Sequence, residues 1–231
     1  MAKRSKKYRA AKEMLEEKDF FTIDEAIPLL LKTAKTKFDS SCEVHLNLGV
    51  NPKHADQIVR GTMKMPHGTG KEYRIVALVS EDKEKEAKDA GAVEAGGSDL
   101  IEKISKGWLD FDIMIAMPSM MKEIGKVAKI LGQQRLMPSP KAGTVTDEIG
   151  ETIKDIMEGK VEYRNDKQGN LHNIFGKVSF GDEKLKENLK RYLKAVVEAK
   201  PAGVKGVYIK SITLSTSMSP GIKVDTQEAY E

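Results

Sequence analysis

Cysteine is almost absent from this chain of 231 residues. The single cysteine, Cys42, cannot form an intramolecular disulfide and cannot assemble a thiolate metal site. It opens a stretch in which apolar and polar residues alternate, through Val44 and Leu46 to Leu48. A period of two is typical of a half-buried strand, so we predict that Cys42 is a buried strand residue.

Long apolar runs are also missing. None approaches the roughly 20 residues that a helix needs to cross a bilayer. The first residues, Met1 to Lys12, are basic and run into a predicted helix, but they lack the apolar middle part of a signal peptide. We therefore expect a cytoplasmic protein that has no membrane partner.

Neither sign of charge dominates the composition. The chain has 39 Lys+Arg and 35 Asp+Glu, a net charge of +4, which by itself does not indicate a nucleic-acid partner. The charges are unevenly distributed, however. Residues 1–68 and 160–231 together contain 26 basic and 18 acidic residues, whereas residues 69–159 contain 13 and 17. This asymmetry indicates a polyanion partner for the module made from the two chain ends.

The hydrophobic pattern divides the chain at the same places. Near the ends it alternates, as in the predicted strands at 38–48 and 205–217, and Thr22 with Glu25 has the spacing of a helix capping box. In the middle, the continuous apolar runs "YRIVALVS" and "FDIMIAMP" alternate with predicted helices such as 119–131. Strands buried on both faces and separated by helices are typical of a parallel sheet.

These patterns predict a fold of two domains. One is an α+β domain made from residues 1–68 plus 160–231. The other is an inserted three-layer α/β (Rossmann-like) domain at 69–159.

Motifs for catalysis or cofactor binding are missing. No Gly-x-Gly-x-x-Gly follows the first strand of the inserted domain. The run from Gly68 to Lys71 resembles half of a phosphate loop, but Glu72 stands where the magnesium ligand should be. The four histidines occur singly and without metal-ligand spacing, at His45, His54, His67 and His172. We expect no enzyme activity, no cofactor and no metal. The alternative is a nucleotide-dependent enzyme that uses the inserted domain.

Basic, aromatic and hydroxyl side chains occur together in the module made from the chain ends. Such side chains suit RNA, because they neutralise phosphates, stack on bases and reach 2′-hydroxyl groups. The candidate RNA contacts are Lys37, Phe38, Arg164, Lys167, His172, Lys210, Thr216, Ser217, Met218 and Ser219. The alternative interpretation is that Phe38 belongs to the core and that the lysines form a solvated face.

Several segments of the chain carry a family resemblance. They are "KFDSSCEVHLNLGVNPKHADQIVRGTMKMPHGTGK", "LMPSPKAGTV", "VEYRNDKQGNLHNIFGKVSF" and "STSMSPG". Together they resemble the bacterial ribosomal protein L1 family over essentially the whole chain. The resemblance implies direct binding to large-subunit rRNA, where the family forms the mobile lateral stalk. It also implies help with the release of exit-site tRNA, repression of translation through the chain's own operon mRNA, and a monomer when free.

The resemblance also implies contact residues. The family's main RNA surface uses a phenylalanine on the first strand, which matches Phe38, and a Thr-Met-Gly turn after the last strand, which falls on Ser217, Met218 and Ser219. Ser217 keeps a hydroxyl group. Ser219 replaces glycine, so the backbone there must have a negative φ or hold a strained left-handed serine. Ser139 is a further departure, because it stands in "MPSPK" where the family has "MPNPK".

Overall fold

The protein is described by a computed structural model, which covers residues 5–15 and 18–230. The first four residues of the predicted basic tail lie outside this range. The chain divides into two compact units. The terminal unit joins the residues up to Gly70 to those from Val161 onward, and the central unit is Lys71–Lys160. The terminal unit contains 25 basic and 18 acidic residues, whereas the central unit contains 14 and 17.

The described residues form mixed α/β structure, as predicted. The helices are α1 (Lys6–Glu13), α2 (Ile23–Thr33), α3 (Glu84–Asp89), α4 (Ser98–Ser105), α5 (Met121–Ile124), α6 (Ala128–Gln133), α7 (Ile149–Met157) and α8 (Asp182–Glu198). The strands are β1 (Ser41–Leu48), β2 (Arg60–Lys64), β3 (Ile75–Leu78), β4 (Glu94–Gly96), β5 (Ile113–Ala116), β6 (Lys160–Arg164), β7 (Asn170–Lys177), β8 (Ile209–Thr216) and β9 (Ile222–Val224). None of these helices has the length and apolar character needed to span a bilayer.

A four-stranded sheet organises the terminal unit. Its strand order is β7-β1-β8-β9, and the β1–β7, β1–β8 and β8–β9 pairs are all antiparallel. Alternate residues of β1, from Cys42 to Leu48, are buried in one core together with apolar residues of α2 and α8. The other face of the sheet carries polar residues, as is usual for an antiparallel sheet with one solvated face. The predicted burial of Cys42 is confirmed, since its side chain is fully buried.

Helix α2 begins as the sequence predicts. The Thr22 hydroxyl accepts a hydrogen bond from the backbone N–H of Glu25, and the Glu25 carboxylate accepts one from the backbone N–H of Thr22. This reciprocal capping box satisfies two donors that a helix N-terminus would otherwise leave without partners. It fixes the start of the helix that leads into the Phe38 segment.

Both strands next to the predicted contact residues have different bounds from those predicted. Strand β1 begins at Ser41, so Phe38 lies before the strand, because residues 36–40 hydrogen-bond among themselves. The predicted last strand, 205–217, is shortened to β8, and it is followed by β9. Residues 217–221 therefore connect two paired strands, whereas the sequence predicted a turn after the last strand.

The central unit contains a three-stranded parallel sheet of order β4-β3-β5. Strand β3 is buried along its whole length. Ile75 and Ala77 pack in a core with α7, and Val76 and Leu78 pack in a second core with α4. Since alternate residues of one strand feed two cores, helices cover both faces of this sheet.

The sequence predicted one continuous helix at 119–131, and this prediction is wrong, because the segment forms two short helices. A 3₁₀ turn at Pro118–Met120 leads into α5, which ends at Gly125, and α6 starts at Ala128. Between them, Lys126 and Val127 donate to carbonyls only three residues back. Gly125 and Val127 both have low helix propensity, so the turn tightens there.

Asn188 is the polar residue on which the terminal unit most depends. It is fully buried on α8, accepts a hydrogen bond from the backbone N–H of His67 (3.0 Å), and donates to the carbonyls of Gly68 (2.9 Å) and Phe175 (2.8 Å). We predict that Asn188→Ala lowers the free energy of unfolding by about 2–3 kcal/mol, because it leaves these backbone groups without partners. Urea denaturation followed by circular dichroism measures this. Lys190→Ala, at an exposed position of the same helix, is the matched control, and equal stability of the two variants would contradict the assignment.

Candidate nucleic-acid interface

An open groove lies where β1 begins and β8 ends. Its volume is about 430 Å³. Two large apolar side chains beside it are exposed to solvent, Phe38 at 56% and Met218 at 76%. The lining residues are Ser5, Lys7, Tyr8, Ala11, Thr33, Lys35, Thr36, Lys37, Phe38, Thr216, Met218 and Ser219. The exposure of Phe38 contradicts the interpretation that it is an ordinary core residue.

A short turn presents Met218. The backbone N–H groups of Met218 and Ser219 both donate to the carbonyl of Thr216, at 2.7 and 3.0 Å. The Ser219 hydroxyl accepts a hydrogen bond from the backbone N–H of Thr216 (2.9 Å) and donates to the carbonyl of Pro220 (3.2 Å). Arg135 is the one non-glycine residue with a positive φ in the described ranges, so Ser219 has the unstrained backbone. Its side chain closes the turn, which gives the serine a structural role of its own.

The segment before β1 holds Phe38 in place. The Thr36 hydroxyl donates to the carbonyl of Phe38 (2.9 Å) and is within hydrogen-bond distance of the buried Ser40 hydroxyl. The Asp39 carboxylate accepts hydrogen bonds from the backbone N–H (3.1 Å) and the hydroxyl (2.7 Å) of Ser179. Because these bonds fix the backbone on both sides of Phe38, its ring projects outward without support from a strand.

The floor of the groove is buried and chemically inert. Thr216 pairs with Cys42 across β8 and β1. Burial, with smaller contributions from the charges of Asp39 and Glu43, raises the pKa of the Cys42 thiol to about 12. A thiol with that pKa is protonated at neutral pH and is a poor nucleophile. The Thr216 hydroxyl is buried and has no hydrogen-bond partner among the described residues.

Helix α1 forms a second wall of the groove, which the sequence did not predict. The Ser5 hydroxyl caps it by accepting a hydrogen bond from the backbone N–H of Tyr8 (3.2 Å). Lys7 Nζ donates to the carbonyl of Lys35 (3.4 Å), which ties the helix to the segment before β1. Lys7, Tyr8 and Ala11 share one face at helical spacing, and this spacing is the sequence feature that indicates a common face of the helix.

A polar network crosses the solvated face of the four-stranded sheet. His45 Nδ1 lies 2.9 Å from His172 Nδ1, and His45 Nε2 lies 3.0 Å from the Ser215 hydroxyl. The outer nitrogen of His172 lies 3.7 Å from the Asp166 carboxylate. Among the described residues, no group of three or more His, Cys, Asp or Glu could hold a metal ion.

The predicted contact residues fall into two groups. Lys37, Phe38, Thr216, Met218 and Ser219 line the groove, and Ser217 lies in the same turn. Lys167 and Lys210 are exposed at the other end of the four-stranded sheet, where β7 begins and β1 ends, and Arg164 is exposed at the end of β6 in the separate two-stranded sheet. His172 lies between the groups, paired with His45. Strand β1 has seven residue steps, and at roughly 3.3 Å per step the two groups are about 23 Å apart.

Sequence comparisons decide the family. Residues 30–220 match the model of the Ribosomal protein L1p/L10e family. The chain belongs to this family. It is similar to the Large ribosomal subunit protein uL1 of Kosmotoga olearia, with 48% identity over 231 residues that cover all of both chains. It is also similar to the protein of that name in Solidesulfovibrio magneticus, with 49% identity over 227 residues, 98% of this chain and 97% of the relative.

Membership of the L1p/L10e family confirms the resemblance found in the sequence. The matched range includes both Phe38 and the turn at 216–219, but it begins after α1. At the start of the run that resembles half of a phosphate loop, the carbonyl of Gly68 accepts a hydrogen bond from the Asn188 side chain, which ties the run to α8.

The imidazole pair predicts a pH dependence of stability. Burial and, secondly, the nearby His172 lower the pKa of His45, while Glu43 opposes the shift. The unfolded chain therefore takes up a proton at His45 at a higher pH than the folded chain does. The free energy of unfolding should be constant above the unfolded value of about 6.5 and should fall as the pH drops below it.

Urea denaturation at pH 7.5 and pH 5.5 measures this effect. The free energy of unfolding of His45→Gln should fall less between these two pH values than that of the wild type. His54→Gln is the matched control and should keep the full fall, since His54 lies outside the network. An equal fall in His45→Gln and wild type would contradict the assignment.

Proposed function

We propose that this ribosomal protein binds large-subunit rRNA directly, and that the groove between α1, Phe38 and Met218 is the main contact surface. The observation that carries the proposal is the pair of exposed apolar side chains beside a turn rich in hydroxyl groups. Large apolar side chains exposed side by side are typical of a binding surface. The flanking lysines make the partner of this surface an anion.

The groove offers each chemical group that RNA recognition needs. The exposed ring of Phe38 and the thioether of Met218 form an apolar platform for riboses or unpaired bases. Ser217 lies between the lining residues Thr216 and Met218, and its hydroxyl can bond a 2′-hydroxyl group. Hydrogen bonds at such a platform are shielded from water, and each contributes more than it would on an open surface.

Lysines around the groove supply the electrostatic part of binding. Lys35 and Lys37 lie on one wall, and Lys7 lies on the other. Each phosphate that they neutralise releases counterions, which favours binding and makes it dependent on salt. No step in this recognition makes or breaks a covalent bond, so the proposed role is binding without catalysis.

The partners implied by the family resemblance complete the proposal. The two relatives are named as large ribosomal subunit proteins. We infer that this chain forms the mobile lateral stalk of the large subunit in the cytoplasm and assists the release of exit-site tRNA. Through the same groove it would repress its own operon mRNA, which must then carry a structure similar to the rRNA site. Free of RNA, it would be a monomer.

The charge distribution supports assigning these roles to separate domains. The groove belongs to the terminal unit, where basic residues outnumber acidic ones, and the central unit has the opposite balance. We propose that the two units are the predicted domains, 1–68 plus 160–231 and 69–159, and that the first carries the rRNA affinity.

Met218→Ala tests the groove. We expect it to weaken binding to large-subunit rRNA by roughly 1–3 kcal/mol, because the platform loses half of its apolar surface. Lys210→Ala should cost roughly 1 kcal/mol or less at physiological salt, since one screened charge contributes little. Gel-shift titration measures both.

The matched control is Met137→Ala, which removes another exposed methionine from the central unit. It should bind RNA as the wild type does. The melting temperature of Met218→Ala must also stay near that of the wild type. Normal RNA binding by Met218→Ala, or a loss that follows unfolding, would show that the turn is only structural.

A further inference from the structure

Three loops meet at the end of the four-stranded sheet that is opposite the groove. The backbone N–H of Leu48 donates to the carbonyl of Gly169 (2.9 Å), and that of Gly49 donates to the carbonyl of Tyr208 (2.7 Å). A side-chain carbon added at Gly203 would lie 3.0 Å from Asp56 Oδ2. Residues 49–57, 165–169 and 199–210 are therefore neighbours, and we call them the lysine loops.

The lysine loops carry an excess of exposed positive charge. Five exposed lysines project from them, at Lys53, Lys167, Lys200, Lys205 and Lys210. Lys200 Nζ lies over the ring of Tyr208, 5.9 Å from the ring centroid. The other four have no ion-pair partner among the described residues, whereas Lys18 and Lys186, elsewhere in the terminal unit, pair with carboxylates.

The two acidic residues in these loops do not neutralise the lysines. Asp166 accepts hydrogen bonds from the backbone N–H groups of Gln168 and Asn170 and from the Asn170 side chain. Its outer oxygen faces His172. Asp56 is the other acidic residue in these loops, so a single carboxylate is left to offset the charge of five lysines. Like charges gathered without partners repel one another, so this surface is stabilised when an anion binds to it.

The shape of the loops suits an extended anion better than a compact one. One of them, residues 199–210, carries the small exposed residues Ala202 and Gly206, which let a backbone approach closely. The lysines stand on three separate loops. A row of phosphates can contact all of them, whereas a single small anion cannot.

We infer that the lysine loops hold a second stretch of the phosphate backbone of the RNA that is bound in the groove. This inference rests on the proposed function. The groove and the lysine loops are about 23 Å apart, so the RNA must extend past the groove before it reaches the lysines.

The experiment combines a protein variant with a change in RNA length. The variant is Lys53→Ala/Lys205→Ala/Lys210→Ala in the full chain. The matched control, Lys184→Ala/Lys190→Ala/Lys194→Ala, removes three exposed lysines from α8. The probes are the shortest large-subunit rRNA transcript that keeps full affinity, found by nested truncation, and the same transcript shortened by about eight nucleotides at each end in turn.

The expected result is a change in salt dependence. Three lost phosphate contacts reduce the slope of log K against log salt by about 2.1–2.7, so the affinity deficit of the triple variant relative to the wild type should narrow about 20- to 40-fold between 50 and 200 mM salt. One of the shortened transcripts should bind the wild type and the variant equally. The α8 control should keep the slope of the wild type.

Each other outcome overturns a specific part of the account. If the wild type binds rRNA but the triple variant keeps its slope, the lysine loops do not contact RNA and serve another anionic partner, such as an acidic protein. If the slope of the α8 control falls as much as that of the triple variant, the effect reports the total charge of the protein, and the inference is wrong. If the wild type binds no rRNA transcript, the proposed function fails, and the inference fails with it.

Discussion

The antiparallel pairing of β1 with β8 is the constraint on which the rest of the structure depends. It brings the Phe38 segment, near the start of the chain, beside the turn that presents Met218, near its end. The two apolar side chains then flank one groove, and their separation follows from the register that pairs Cys42 with Thr216. A shift of one residue would turn every inward side chain of β1 to solvent, so the buried core protects the register. The stability of the core and the geometry of the proposed RNA surface therefore have the same origin.

The groove itself is held by local hydrogen bonds. The Ser219 hydroxyl closes the turn, and the Thr36 hydroxyl holds the segment around Phe38. Short side chains that bond to nearby backbone compete well with strand pairing, which explains why regular structure stops on both sides of the groove. These bonds hold the backbone of the groove in place before any partner binds, and a preorganised surface loses less entropy on association. Phe38 and Met218 remain exposed beside this hydrogen-bonded backbone.

Much of this could be predicted from the sequence because the signals were local. Alternation from Cys42 to Leu48 predicted the central strand, the spacing of Thr22 and Glu25 predicted a capping box, and the continuous apolar runs predicted buried strands in the central unit. What failed depended on side-chain hydrogen bonds, which the apolar pattern does not show. Strand β1 begins later than predicted because Thr36 bonds within residues 36–40 and Asp39 bonds to the distant Ser179.

The candidate contact residues show the same limit. They were predicted as one site because they share a charge or a family motif, but neither property states where a residue lies along a strand. The register places Lys167 and Lys210 at the far end of the sheet from Phe38. For α1 the spacing of Lys7, Tyr8 and Ala11 marks a helix face, but it does not show that this face packs against the groove. Ser219 was predicted either to take a negative φ or to be strained, and it is unstrained.

The measurement that tests the central claim most directly is an RNA titration of the full chain with isotope-labelled methionine methyl groups, followed by nuclear magnetic resonance. Among the 11 methionines, Met218 lies at the groove, while the exposed Met137 and Met157 lie in the central unit and serve as internal references. The account predicts that one equivalent of large-subunit rRNA shifts the Met218 methyl signal most and leaves the signals of Met137 and Met157 near their free positions. Shifts at Met137 and Met157 with an unmoved Met218 signal would contradict it.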